Sequence, residues 1–458
     1  MRTMIGVRTL LAVALASLVL IAAGCGGSAS RSGDSGGGLG SGAAELVPAD
    51  ALAVVSIDTD LGSRQLKQLD AVTRGLPARA SLLRELTKAL AAKGLDYTRD
   101  VRPALGPELN LAVLGIENGR PEAIALARPN DRAKLQALAS KFDRAGEHYT
   151  VERVGDWSVV ADSTDAFAAV RAARNGSSLG DATGYSAATA ALPSDDLARI
   201  YVSGRALALL PARLRLVAGA SARPPWIAAS VAADDDALHV RLAKPAGATA
   251  AAGPSLMGEV PSGAMLAVSF RGGADAAAAL RRMASGGQLQ QLTGLTPTDL
   301  ASLGTGPGVL YARSGAVLPV IGAELRPRDP EAALAALHKL AARLQRAATG
   351  ALTLIVRREG DRVFVADSGS AIDDLTGSGP KLVDDPPFKD AVKAAGGGTP
   401  IVYADVPQLL PFLQSFVQLL GAGVPQSLVD DLGHVGTVVA VGRRAGTVGE
   451  VDVRIARR

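Results

Sequence analysis

The residues with types and spacing suited to chemistry begin with Gly33-Asp34-Ser35-Gly36-Gly37, in which Ser35 reads as a candidate acyl-transfer nucleophile. A serine attacks a carbonyl only with a histidine in hydrogen-bond reach and a rigid oxyanion hole. Ser35 lies inside Gly26 to Gly42, a Gly/Ser-rich run with almost no apolar residue, a composition that holds neither in place. The string reads as tether. Four histidines, His148, His239, His338 and His434, are scattered along the chain without metal-ligand spacing, and structural or surface roles are expected for each. Asp58-Thr59-Asp60 offers two carboxylates at a strand end, too few oxygens for a cation by themselves, and Asp60 reads as the cap of the following helix. Asp234-Asp235-Asp236 reads as a solvated hairpin turn. Val-Ala-Asp-Ser occurs at 160–163 and again at 365–368, each time before an Ala-rich run, which is what a helix N-cap requires. Gly304-Thr305-Gly306-Pro307-Gly308 fails as a phosphate cradle because Pro307 removes an amide and a strand follows. No cofactor and no metal is expected.

These residues sit in a chain of 458, with 48 Lys+Arg against 44 Asp+Glu and only 3% aromatics. The charge balance shows no basic block, so nucleic acid is not an expected partner. The scarcity of aromatics argues against clefts that work by stacking.

The amino terminus carries Arg2 and Arg8 before an apolar run from Leu10 to Ile21, the layout of a signal peptide and shorter than a membrane span. It ends Ala22-Ala23-Gly24-Cys25, and Cys25 is the only cysteine. Small residues before a lone cysteine resemble the lipobox of bacterial lipoproteins, with Ala22 where leucine is usual. The resemblance implies diacylglyceryl transfer to Cys25 and cleavage before it. Residues 1–24 are then a signal peptide, 25–44 a tether, and the location extracytoplasmic and membrane-anchored.

The rest of the chain repeats itself. VPADALAVVS at 47–56 is answered by VPSGAMLAVS at 260–269, and Arg128-Pro129 by Arg326-Pro327. Leu105-Gly106-Pro107 is answered by Leu303-Gly304 with Gly306-Pro307, and Val240-Arg241-Leu242-Ala243-Lys244 by Val453-Arg454-Ile455-Ala456-Arg457. Ordered matches of this kind predict a duplication, with modules at 45–244 and 257–458 and a linker at 245–256. Within the first copy, strands are expected at 52–57, 109–115, 123–127, 149–153, 157–161, 226–233 and 237–243. Helix is expected over 65–92 with a break at Pro77 and Leu82, Leu83, Leu86 and Leu90 on one face, and again over 131–144. Tight turns between neighbouring strands predict two homologous α+β modules, each a largely antiparallel sheet with helices packed on it.

Lipobox, tether and Pro48-Ala49-Asp50-Ala51 leading into Val54-Val55-Ser56-Ile57-Asp58 together resemble the uncharacterised bacterial family called domain of unknown function 3352. The resemblance is expected to extend over most of residues 45–458, with Ser262-Gly263 replacing Ala49-Asp50 in the second copy. It implies an envelope location and supplies no activity.

One surface differs between the copies. No charged residue lies between Asp405 and Asp430, and Leu409, Phe412, Leu413, Phe416, Val417 and Leu420 recur at helical spacing. The matching segment of the first copy carries Arg205, Arg213 and Arg215. Such a helix is either buried against the sheet or other module, or is a face for membrane, hydrophobic ligand or partner protein. The leading expectation is therefore a non-enzymatic envelope lipoprotein that binds through this segment. A carrier of lipid or another hydrophobic ligand is the alternative, and a hydrolase with residues converging only in space is the third reading.

Overall fold

The computed structural model describes residues 38–117, 119–143, 148–209, 224–246, 255–284, 288–315, 319–347, 354–419 and 425–458. Cys25 and the leader lie outside the described residues. The first eight strands are β1 (Ala53–Asp58), β2 (Glu108–Glu117), β3 (Arg120–Ala127), β4 (Thr150–Val154), β5 (Trp157–Ala161), β6 (Ala198–Ser203), β7 (Trp226–Ala233) and β8 (Ala237–Pro245). The next eight are β9 (Ala264–Phe270), β10 (Gly308–Arg313), β11 (Val320–Leu325), β12 (Ile355–Glu359), β13 (Arg362–Ala366), β14 (Thr399–Asp405), β15 (Val435–Ala445) and β16 (Val448–Arg457). All sixteen form one sheet, ordered β12-β13-β11-β10-β9-β14-β15-β16-β8-β7-β6-β1-β2-β3-β5-β4. Every pairing is antiparallel. The fold is α+β. The expectation of a sheet for each half gives way to a single sheet that runs through both.

Read outward from the central β8–β16 pair, both sides follow the same order: β7, β6, β1, β2, β3, β5, β4 on one and β15, β14, β9, β10, β11, β13, β12 on the other. At the centre Val240 pairs with Val453, flanked by Arg241 with Asp452 and His239 with Arg454. Asp452 is buried, and its Oδ2 accepts from Arg241 Nη2 at 2.7 Å and from Arg443 Nη2 at 3.0 Å. Arg454 Nη2 reaches back across the seam to Asp236 Oδ1 at 2.7 Å. The outermost strands carry Glu152 and Arg153 on β4, and Arg357, Arg358 and Glu359 on β12, charges that discourage pairing with another chain.

Alternation along each strand supplies cores to both faces. On one face Val54, Ala112, Leu126 and Trp226 of the strands pack with Phe167 and Val170 of the helix Thr164–Asn175 and Tyr185 of Thr183–Ala190. In the other half Tyr311 and Phe364 pack with Ile372 of Gly369–Thr376 and Phe388 of Pro386–Ala394. On the opposite face Leu109 and Ala127 meet Leu86, Leu90 and Leu135, from the helices Pro77–Ala91 and Arg132–Ser140. Each fully buried Leu or Phe contributes about 1.5–3 kcal/mol.

Local chemistry sets the element ends. Arg64–Thr73 stops before Pro77, which opens Pro77–Ala91 at its first turn. Its expected apolar face is narrower than the spacing suggested, because Leu82 is exposed while Leu86 and Leu90 are buried. Ser163 and Ser368 cap their helices by accepting from Ala166 N and Ala371 N. The repeated Gly-Pro and Arg-Pro pairs meet in space. A Cβ on Gly106 (φ +69) would stand 1.9 Å from the Arg128 carbonyl oxygen, and one on Gly306 1.8 Å from that of Arg326. Backbone contact, with no role toward phosphate, accounts for these glycines. The expected tether 25–44 ends earlier than composition suggested. Ser41–Ala44 is helical, Ala43 and Ala44 are buried, and Gly40 N donates to Glu108 Oε1 at 2.7 Å.

Replacing Asp452 by Ala leaves Arg241 and Arg443 facing a buried void and should lower the unfolding free energy by about 3 kcal/mol in urea melts. The estimate takes the low end because both guanidiniums retain about a quarter of their exposure. An unchanged midpoint would show that the seam does not depend on this carboxylate.

Candidate binding face

Six strands across the middle of the sheet place two rows of side chains back to back. Asn110, Ser56, Arg199, Ser230, Arg241 and Asp452 are cross-strand partners in that order and share one face. Their sequence neighbours Leu111, Val55, Ile200, Ala229, Leu242 and Val451 are likewise partners in order, on the opposite face. The polar row is covered. The apolar row is not: Ile200 is 38% and Leu242 43% exposed, and the other four are half-buried. A parallel row of Val113, Ala53, Val202 and Ile227 lies beside it, also half-buried. In the second half Leu310 is 40% exposed, paired with Val268 and Ala323. Among the described residues the helix Arg64–Thr73 covers the end of β7 and β8 beside this row and Leu111 meets the core under Pro77–Ala91, while Ile200 and Leu242 stay exposed, the kind of apolar patch that can bind.

The segment expected to form that face is placed differently. Val406–Leu419 is a helix containing Pro411 and lies against β9, β14 and β15. Val406 is buried and Leu409 and Phe412 are half-buried, whereas Leu413 is exposed. Phe416 and Val417 are helical, but their side chains lie outside the described residues, as does Leu420. The helix Gln426–Leu432 then packs on Pro77–Ala91, where Asp431 Oδ1 accepts from Ala78 N at 2.8 Å.

The titratable residues singled out by spacing are occupied by the fold. Asp58 Oδ1 accepts from Asp60 N and Asp60 Oδ1 from Gly62 N, both at 2.9 Å, and Thr59 Oγ1 donates to the Gly106 carbonyl. Asp60 is not the helix cap. Ser63 is, accepting from Leu66 N. The Asp234–Asp236 turn is more than a solvated loop. Asp234 Oδ2 lies 2.8 Å from His239 Nε2, Asp235 accepts from Gln68, and Asp236 accepts from Arg454. With Asp452 Oδ1 3.5 Å from its other nitrogen, His239 has a carboxylate on each side, and its hydrogen bonding to Asp452 and then to Asp234 outweighs burial and raises its pKa. Burial tends to raise Asp452, but hydrogen bonds from His239 and Arg241 leave it lowered. His148 Nδ1 stands 3.3 Å from Asp143, His434 Nδ1 2.8 Å from the Asp430 carbonyl, and His338 is exposed on a helix.

Residues 9–153 match the model of a family described as protein of unknown function (DUF3352), the family that the sequence resembles. The match is a similarity over that stretch, short of the expected span of residues 45–458. A comparison with curated proteins found no match. Two solved structures of TP0453, in crystal forms I and III, align with 73% of this chain and 98% and 96% of theirs. Identity is 10% and 9%, and the TM-score is 0.16 for each. A likeness at that level carries no argument about this chain.

Burial raises the Asp58 carboxyl to about 6, against hydrogen bonds from Ser63 and Asp60. The folded state therefore keeps this proton after the unfolded chain has lost it. Its contribution is fully present below the usual carboxylate value and is lost as pH rises toward 6. At about 1.4 kcal/mol per pH unit the loss is about 3 kcal/mol. Asp58→Asn should flatten this part of the stability profile between pH 4 and pH 7 in urea melts. A profile as steep as the parent's would mean that Asp58 is already ionised at pH 4.

Proposed function

We propose that this chain is an extracytoplasmic lipoprotein of the cell membrane, anchored through diacylglycerol on Cys25, whose role is to bind rather than to catalyse. It is built in this reading from two homologous modules, 45–244 and 257–458, that arose by duplication. Support for the duplication comes from the matching strand orders about β8–β16 and from Val240 pairing with Val453, its counterpart in the repeat. The observation that carries the binding reading is the apolar row Leu111–Val55–Ile200–Ala229–Leu242–Val451, continuous across six strands with Ile200 and Leu242 exposed. The uncharged helix with Leu409, Phe412 and Leu413 is its proposed neighbour, and the whole is a face for an envelope protein or a hydrophobic ligand.

The carrier reading draws on the helix Arg64–Thr73, which packs on β7 and β8 beside the exposed Leu242 and would form one wall for an apolar ligand. A native mass spectrum of the chain taken from its own envelope separates the two, because a carrier retains a stoichiometric apolar adduct and a partner-binding face does not.

Ile200→Lys with Leu242→Lys should weaken binding of an anilinonaphthalene sulfonate dye or a fatty acid at least tenfold while leaving the melting temperature unchanged. Phe412→Ser separates a contribution of the helix from that of the sheet. Equal binding by parent and double variant would remove the sheet face from consideration. Anchoring has its own test. Two acyl chains hold a protein stably, at about 0.8 kcal/mol per buried CH₂. Cys25→Ala should abolish incorporation of labelled palmitate into the chain, and label retained by the variant would refute lipid anchoring there.

A further inference from the structure

A second site lies on the opposite face of the sheet from the apolar row and is independent of it. A cavity of about 570 Å³ opens between the segment 38–45, the turn at 178–181, the helix Thr183–Ala190 and the start of β6. This volume is within the range of small-molecule sites, about 300–1,000 Å³. Its lining is polarised. At the floor is Arg199, with a side chain only 6% exposed. Its Nε donates to Asp196 Oδ2 at 3.0 Å and its Nη2 to the Pro193 carbonyl at 2.6 Å. Nη1 makes no hydrogen bond to the described residues. Beside it Tyr185, 5% exposed, packs edge-on against Tyr201 at 5.2 Å, and its hydroxyl also makes no hydrogen bond among the described residues. Both residues line the cavity, so these two donors are left for an occupant to take from water.

The rim has the opposite character. Asp181 and Glu45 are both exposed and both line the opening. Asp181 Oδ2 accepts from Ser178 N at 3.1 Å and Ser178 Oγ at 2.7 Å, which leaves Oδ1 for a ligand. Those bonds hold its pKa below the usual range, so the rim is anionic at neutral pH. A simple anion would have to pass the rim carboxylates to reach Arg199, and a simple cation would end against the guanidinium. A molecule with an ammonium and a carboxylate meets both ends.

We propose that this cavity binds a small zwitterion, of amino-acid to tripeptide size, with its carboxylate on Arg199 and Tyr185 and its ammonium toward Asp181 and Glu45. Hydroxyls of Ser41 and Ser194 on the wall supply further hydrogen bonds. Because Ser41 and Glu45 belong to the first of the described residues, an occupant also fastens that segment to the body.

The test is calorimetric titration of the full chain, in detergent, with alanine, dialanine and trialanine. N-acetyl-dialanine, dialaninamide and glucose serve as controls. At least one zwitterion should bind, with affinity falling at least tenfold when either terminus is blocked. Tyr185→Phe keeps the ring packing, and Glu45→Gln alters an exposed side chain. Each should weaken binding about fivefold without moving the melting temperature. Equal binding of the blocked peptides, preference for glucose, binding unaffected by both variants, or no binding at all would each overturn the assignment.

Discussion

The antiparallel pairing of β8 with β16 is the constraint on which the remaining architecture depends. Val240 faces Val453, and this register brings Asp452 beside Arg241 and within reach of Arg443 and His239. Hydrophobic pairing alone would tolerate a slip, since apolar residues alternate along both strands. A one-residue slip would exchange the faces and bury Leu242 where Arg241 now meets its partner. A two-residue slip would keep the faces but take Arg241 from Asp452, leaving Arg443 of β15 as its guanidinium partner. Charge therefore fixes what shape leaves open, and because the sheet is continuous, the register of the centre is inherited by every strand outward.

With register fixed, alternation gives each face a different character. The strands that contribute Asn110, Ser56, Arg199, Ser230, Arg241 and Asp452 to one side must contribute Leu111, Val55, Ile200, Ala229, Leu242 and Val451 to the other. The polar row needs cover because its groups bond to each other and to backbone. Of the apolar row, Ile200 and Leu242 stay exposed among the described residues. A sheet of this width exposes one face or recruits helices to both, and here the helices reach the flanks of the second face. Exposed aliphatic residues in continuous register are the feature on which the proposed binding role rests.

Much of the fold is legible in the sequence, and the illegible part has identifiable causes. Strands such as 157–161 and 226–233 read directly from short apolar runs between turn residues, and the Val-Ala-Asp-Ser caps from their serines. Joining of the halves is not legible, because nothing local marks Val240 and Val453 as partners across the length of a module. Leu82 fails as a core residue because helical spacing defines a face but not the width of what covers it. Residues 38–44 look like tether by composition, yet the fold supplies Glu108 as an acceptor for Gly40 N. Of the expected binding face only Leu409, Phe412 and Leu413 can be placed, and Ile200 and Leu242 are ordinary strand residues until the sheet is assembled.

The two halves differ most where the polar cavity stands. The aromatic support is kept on both sides: Tyr185 packs on Tyr201, and Phe388 on Tyr403, each at 5.2 Å. The charge is not. Arg199 pairs with Ser56 in the first half, whereas in the second Ser269 of β9 neighbours Ser255, whose hydroxyl donates to the carbonyl of Pro400. The recess beside Phe388 is walled by Val383 and Val392 with Lys389 and Lys393 at its edge, and no guanidinium lines it. Under the proposed duplication, one copy can keep the packing that holds the shared sheet together while the other acquires a buried arginine. That substitution is tolerated because Asp196 balances the charge locally. The retained aromatic pair supports the sheet in both halves, and the buried guanidinium that the proposed zwitterion site needs lines the recess of the first half and not that of the second.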